Sequence, residues 1–318
     1  MESKYFFKKP FYKVFYKVFS LTLRLNCFYS TDSVFLKFPP VAGDTPLEAR
    51  ERAWAMGTDM EKRINADNTF VTPNYLELEK AYAPFYMLSK KRYAGVKYEG
   101  GNNINGKQDF TGIELVRRDN CKLLKRTQEM FFEQLLLNSS PIGAAKSLLK
   151  NIKELMTGKI PLDMLIISKK LAKLNYAGNQ VHAHLNDRIR ERMPALVYKV
   201  GSRIPYVIIA GRGQLYERGE DVQYVKDNCL AIDYQYYLAK QIVGPMMRLL
   251  VPLFGQTNSN LFFERAQNGA IHQHFTSNKV DWIPPLLGDV EEEKKKKKRK
   301  APIQKNSLSN YFSKKSKQ

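Results

Sequence analysis

Two short basic cassettes are the residues whose types and spacing most clearly suit a chemical task. One is Lys90-Lys91-Arg92-Tyr93; the other is Gly112-Ile113-Glu114-Leu115-Val116-Arg117-Arg118-Asp119. Forked guanidiniums and ammonium heads beside a tyrosine suit a grip on a nucleic-acid backbone, because arginine's planar donors match two phosphate oxygens at once and lysine supplies a point charge. If the first cassette lies on a strand, Lys91 and Tyr93 share one face, and Lys90 and Arg92 the other. A solvated edge strand whose lysines discourage pairing is the competing reading. In the second cassette Glu114 can orient Arg117 or Arg118 and leave the other guanidinium for phosphate. An internal salt-bridge cluster is the alternative there, and the two uses can coexist.

These cassettes need a frame. Residues 75–80, 85–88, 92–98 and 111–116 read as strands, with Asn102-Asn103-Ile104-Asn105-Gly106 as a turn. Residues 34–38 form another strand after the polar turn Ser30-Thr31-Asp32-Ser33. A helix begins at the capping box of Thr45 and Glu48, with Pro46 in its first turn, and runs to about Asn65. From Cys121 the apolar period becomes helical: 123–138, 142–156, 161–174, 180–192 and 233–254. Residues 207–210 read as a short strand. An aromatic and basic alternation at 11–19 also suggests a strand. The fold class is therefore α+β, an antiparallel sheet with a helix followed by a mainly helical half.

Composition narrows the function. Lys plus Arg number 52 against 31 acids, giving +21 over 318 residues. Residues 291–318 hold 11 basic and 3 acidic side chains, so +8 sits there and +13 in the body. A body this basic attracts a polyanion, and 18 Tyr with 18 Phe supply stacking surfaces; a well-solvated surface is the bland alternative. Cys27, Cys121 and Cys229 are isolated, so no disulfide framework, zinc module or iron–sulfur cluster is expected. His182/His184 and His272/His274 show metal-like spacing, but a helix would split the first pair, and a non-metal role is preferred. No apolar run reaches membrane length, so no membrane partner is expected, and no secretion signal is read at the start.

Taken in order, the motifs resemble the palm and thumb of a family B DNA polymerase, closest to the delta type, over residues 27–285. They run from Phe28-Tyr29-Ser30-Thr31-Asp32-Ser33 through Leu76-Glu77-Leu78-Glu79-Lys80, Tyr82-Ala83-Pro84-Phe85 and the Lys-Lys-Arg-Tyr cassette to Gly112-Ile113-Glu114-Leu115-Val116-Arg117-Arg118-Asp119. Ile166-Ile167-Ser168-Lys169-Lys170-Leu171, Gly201-Ser202-Arg203-Ile204-Pro205-Tyr206 and Asp233-Tyr234-Gln235-Tyr236-Tyr237 complete the series. The resemblance divides the chain into an unassigned start (1–25), the last part of a palm (26–122), a thumb (123–288) and a disordered basic tail (289–318). It implies primer-template DNA as partner, met by Lys90, Lys91, Arg92, Tyr93, Arg117, Arg118, Lys169 and Arg203, with Lys91 and Tyr93 the duplex-facing pair. It also implies template-directed nucleotide addition with magnesium, nucleotide binding, other polymerase subunits, and a nuclear or viral replication site.

Asp32 matches the second acid of the family's metal-binding turn. Ser30 stands where the first acid belongs and Tyr29 where a glycine belongs. The family's upstream acid and nucleotide-gripping helix fall before the residues of this chain. One carboxylate holds magnesium poorly, and two-metal phosphoryl transfer needs another acid. The chain alone is therefore expected not to extend a primer.

The tail combines the run 294–300 with Gln304-Lys305-Asn306-Ser307-Leu308-Ser309-Asn310-Tyr311-Phe312. It resembles a sliding-clamp-binding peptide in which Leu308, Tyr311 and Phe312 fill a pocket, although Gln304 lies one residue too far from the plug. The lysine run is read as an import signal, a DNA tether, or both. Three readings follow: a polymerase fragment, a non-catalytic DNA-binding and clamp-tethering module, or the product of a truncated gene or mistaken start. A palm without its earlier strands is expected to leave a sheet edge open, and the helical half to be more stable than residues 1–60.

Overall fold

A computed structural model describes residues 3–8, 26–29, 33–38, 41–66, 75–99 and 106–271. The turn holding Asp32, the alternation at 11–19, the turn residues 102–105, His272, His274 and the clamp-like peptide with Gln304, Leu308, Tyr311 and Phe312 lie outside the described residues.

Six antiparallel strands form one sheet in the order β2-β3-β1-β4-β5-β6. They are β1 (Ser3–Lys8), β2 (Asn26–Tyr29), β3 (Ser33–Phe38), β4 (Leu78–Ser89), β5 (Arg92–Tyr98) and β6 (Lys107–Thr111). The stretch Ser3–Lys8, unassigned in the sequence, is an inner strand: Tyr5 pairs with Leu36 on one side and Ala81 on the other. Such pairing between distant segments leaves no local signature beyond the β-prone Tyr5-Phe6-Phe7.

Helix α1 (Pro46–Ala66) lies on one face of the sheet. Its capping box forms as the sequence requires, with the Thr45 amide donating to Glu48 Oε2 at 2.8 Å and the Glu48 amide to Thr45 Oγ1 at 3.3 Å. Ala53, Met60 and Ile64 pack on Leu36, Phe38, Leu78, Ala81 and Tyr98. On other strand positions Phe35, Tyr82, Phe85 and Tyr93 form an aromatic cluster.

Beyond the sheet lie α2 (Lys122–Phe132), α3 (Pro141–Met156), α4 (Val181–Arg192), α5 (Val243–Phe254) and α6 (Gln256–Ile271). Ser140 caps α3, accepting from the Gly143 amide at 2.9 Å, with Pro141 in the first turn. The main core joins these helices through Phe131, Leu148, Leu249, Phe254 and Phe262, and reaches Ala94 and Val96 of β5.

Two expected elements change type, the strands expected at 75–80 and 85–88 merge into β4, and the one expected at 207–210 lies at Arg203–Ile208. The helix over 161–174 is one turn, Leu162–Leu165, followed by β7 (Ile167–Lys170). β7 pairs with β8 (Arg203–Ile208), which pairs with β9 (Gly219–Glu220). Ladder bonds to β8 thus override a helical apolar spacing. The strand expected at 111–116 ends at Thr111, because Gly112 takes a left-handed φ of 65° and Glu114–Val116 makes a single 3₁₀ turn.

Candidate nucleic-acid interface

The first cassette spans a hairpin. β4 ends at Ser89, Lys90 and Lys91 form the turn, and β5 begins at Arg92. Lys91 adopts φ 59°. The face assignment from strict alternation is therefore corrected: Lys91 is a turn residue and does not share a strand face with Tyr93. Tyr93 is 7% exposed, with ring centroids 5.3 Å from Phe35 and 5.4 Å from Phe85. Lys90 and Lys91 are exposed, and their ammonium groups have no hydrogen bond or ion pair among the described residues.

The second cassette is a strap that fastens this hairpin to the helical half. A Cβ at Gly112 would collide with the Lys91 carbonyl oxygen. Arg92 Nε donates to the Gly112 carbonyl at 3.0 Å, and its terminal nitrogen meets Glu114 Oε1 at 2.7 Å. Arg248, from α5, donates to the same oxygen at 2.5 Å. Glu114 thus pairs with Arg92 and Arg248, not with Arg117 or Arg118 as its neighbours in sequence suggested. Burial pushes the Glu114 carboxyl up, but the hydrogen bond from Arg248 and the charges of Arg248 and Arg92 prevail, so it lies below the ordinary glutamate value. Arg248 escaped the sequence reading because it lies 134 positions from Glu114 and no local pattern links them. A second tie crosses the same seam, where Tyr86 Oη donates to the Leu249 carbonyl at 2.5 Å.

Farther along the strap, Arg117 and Arg118 project as exposed side chains with no hydrogen bond or ion pair among the described residues. Arg203 is occupied within the protein. It donates to Ser168 Oγ at 3.2 Å, the Ser168 carbonyl, the Arg118 carbonyl at 3.1 Å and Asp119 Oδ1 at 2.8 Å. Lys169 stands 3.8 Å from Asp119 Oδ2. Of the eight basic and aromatic residues read from sequence as one interface, Lys90 and Lys91 on the hairpin turn and Arg117 and Arg118 on the strap are exposed without a hydrogen bond or ion pair among the described residues. Arg92, Arg203 and Lys169 are engaged in ties, and Tyr93 is core.

The paired histidines part as expected on a helix. His182 Nε2 lies 3.3 Å from Tyr176 Oη, and His184 Nε2 lies 3.2 Å from Asn179 Oδ1. Burial, with Lys169 nearby, pushes the His182 imidazole below its ordinary value.

The donor set does not fit the two-magnesium centre that the resemblance implies. The turn 30–33 offers one carboxylate, Asp32, among hydroxyls. The inner strand beside β3, Ser3–Lys8, contributes none. Magnesium prefers a nearly octahedral oxygen set, and two ions need a bridging acid.

The sheet with its capped helix, the strap and the helical half together define a class. The sequence profile of DNA polymerase family B matches residues 16–253, and the chain belongs to that family. The match begins inside the stretch 1–25, ahead of the motif series. Within the family the similarity runs to the delta type. The chain is 38% identical to the DNA polymerase delta catalytic subunit of Plasmodium falciparum over 73% of its length, and 38% identical to that of Arabidopsis thaliana over 73%. It is 35% identical to the delta catalytic subunit of Bos taurus over 71%. In each case it spans 20% of the relative, so the chain covers about a fifth of the length of these proteins. Among solved structures, the family B DNA polymerase of the hyperthermophilic archaeon Pyrobaculum calidifontis superposes with a TM-score of 0.51 at 25% identity, covering 71% of this chain and 26% of that one.

Proposed function

We propose that this chain is a palm-and-thumb portion of a delta-like replicative polymerase that grips primer-template duplex through its backbone and, by itself, holds DNA without extending it. The observation that carries the reading is the division of the cations: Lys90, Lys91, Arg117 and Arg118 are exposed with no hydrogen bond or ion pair among the described residues, while Arg92 and Arg248 are tied to Glu114, and Arg203 and Lys169 to Asp119. Uncompensated cations on a fixed frame suit phosphate contacts that are independent of base sequence. Absence of extension follows from Ser30 in place of the turn's first acid, which leaves Asp32 alone to hold metal. That same substitution favours the second reading, a DNA-binding and clamp-tethering module, with Gln304, Leu308, Tyr311 and Phe312 as the clamp peptide and a nuclear replication site as its setting.

Titrating a labelled primer-template with the full chain across a salt series tests the grip. Affinity is expected to fall steeply with salt, and K90A/K91A to flatten the slope by about 2, close to one for each phosphate that is no longer neutralised. Binding that ignores salt sinks the reading. Primer extension with magnesium and all four nucleotides is expected to give no product; sustained extension by the purified chain refutes the inactive state. Retention on an immobilised sliding clamp, abolished by Phe312→Ala, tests the tail.

A further inference from the structure

At the seam between sheet and helical half, beside the Tyr86–Leu249 tie and the shared apolar core, one carboxylate links two guanidiniums. Glu114 is 6% exposed and takes two guanidiniums on the same oxygen, Arg92 from the hairpin and Arg248 from α5. Gln128 Nε2 approaches its other oxygen at 3.5 Å, at the limit of a hydrogen bond. The two arginines carry like charge and are drawn together only by the anion between them; with a neutral amide in its place they repel. Arg92 is the residue next to the Lys90-Lys91 turn, and Glu114 lies three residues before Arg117. The carboxylate is therefore the joint at which hairpin tip, strap and α5 share one geometry.

We propose that Glu114 is a positioning residue for the duplex grip: it touches no DNA itself, but by clamping Arg92 and Arg248 it fixes the Lys90-Lys91 tip relative to Arg117 and Arg118. The inference rests on the duplex-binding reading above. Four cations at fixed separations can meet successive phosphates together; a hairpin tip no longer braced against α5 through Glu114 meets them singly and gains less from each.

The experiment is primer-template binding by the full chain over a salt series, read as the slope of log affinity against log salt. E114Q is expected to flatten the slope by about 2, as K90A/K91A does. The triple variant E114Q/K90A/K91A is expected to be no flatter than K90A/K91A, because without the two lysines the tip has no charge left for the joint to position. E154Q breaks another arginine–carboxylate pair, Arg126–Glu154 at 2.8 Å, and is expected to keep the wild-type slope, separating positioning from general loss of stability. If E114Q does not fold, R248M removes only the half-exposed partner and is expected to behave non-additively with K90A/K91A in the same way. A wild-type slope in folded E114Q or R248M, or a triple variant whose loss is the sum of its parts, overturns the positioning role while leaving the duplex reading intact. A wild-type chain without salt-steep binding removes both.

Discussion

Arg203 and Asp119 meet at 2.8 Å, and this contact moors the start of β8 to the far end of the strap. The guanidinium also holds Ser168 and the Arg118 carbonyl, so a side chain that the sequence offered as a phosphate contact serves as an internal tie. Its hydrogen bond holds the Asp119 carboxyl below the usual aspartate range despite slight desolvation, with Lys169 adding to the effect. Arg203→Ala is expected to destabilise by about 1 kcal/mol, a hydrogen-bond value discounted because the Asp119 side chain is 54% exposed. Urea unfolding checks this; a destabilisation several times larger would mean that the tie bears on the core.

The Glu114 joint has a pH signature. Its carboxyl is depressed in the folded state, so its contribution is complete above the unfolded glutamate value of about 4.3 and disappears as pH falls through the lower folded value. Glu114→Gln is expected to cost about 2–3 kcal/mol at neutral pH, less than the about 3–5 of a fully buried pair, because Arg248 is 45% exposed. The gap between variant and wild type is expected to narrow on acidification below about pH 4.3. A gap that stays constant down to pH 2 excludes the ionised joint.

How far the sequence reached depended on whether the decisive contacts were local. The start of α1 was legible because Thr45, Pro46 and Glu48 satisfy one another within a single turn. The hairpin was legible as two strands, but not its turn, since Lys91 takes a left-handed backbone that lysine rarely signals. β1 and β7 were missed because each is defined by partners far away in the chain, β3 with β4 and β8. The basic residues of the interface were found by type. Their division into free cations and ties was not, because Glu114 chooses Arg92 and Arg248 across the fold and passes over the adjacent Arg117 and Arg118.

Gly112 offers a test of the strap's close approach. Its φ of 65° costs an L-residue about 1–2 kcal/mol, and a methyl there would also strike the Lys91 carbonyl oxygen. Gly201, at φ 95°, has open space around its Cβ position. Gly112→Ala is therefore expected to destabilise by more than about 2 kcal/mol, and Gly201→Ala by about 1. Equal effects in denaturant melts would show that Gly112 answers only to its backbone angle and that the hairpin does not press on the strap.

Protection from hydrogen exchange should follow the cores. The larger cluster buries Phe131, Phe132, Leu148, Leu249, Phe254 and Phe262 almost completely and draws on every long helix from α2 to α6. The cluster beneath α1 is smaller, and Trp54 and Met56 are only partly covered there. Local opening is cheapest where few apolar contacts must be broken. The slowest amides are therefore expected in α2, α3 and α5, and those of β3 and α1 are expected to exchange sooner. Phe131→Ala, which empties a ring-sized volume in the larger core, is expected to cost about 3–5 kcal/mol and to raise exchange in α2 and α3 together, because both helices close on that ring's cluster. The reverse order, with residues 33–66 the last to exchange, would place the stabilising core under the sheet and contradict a frame anchored in the helical half.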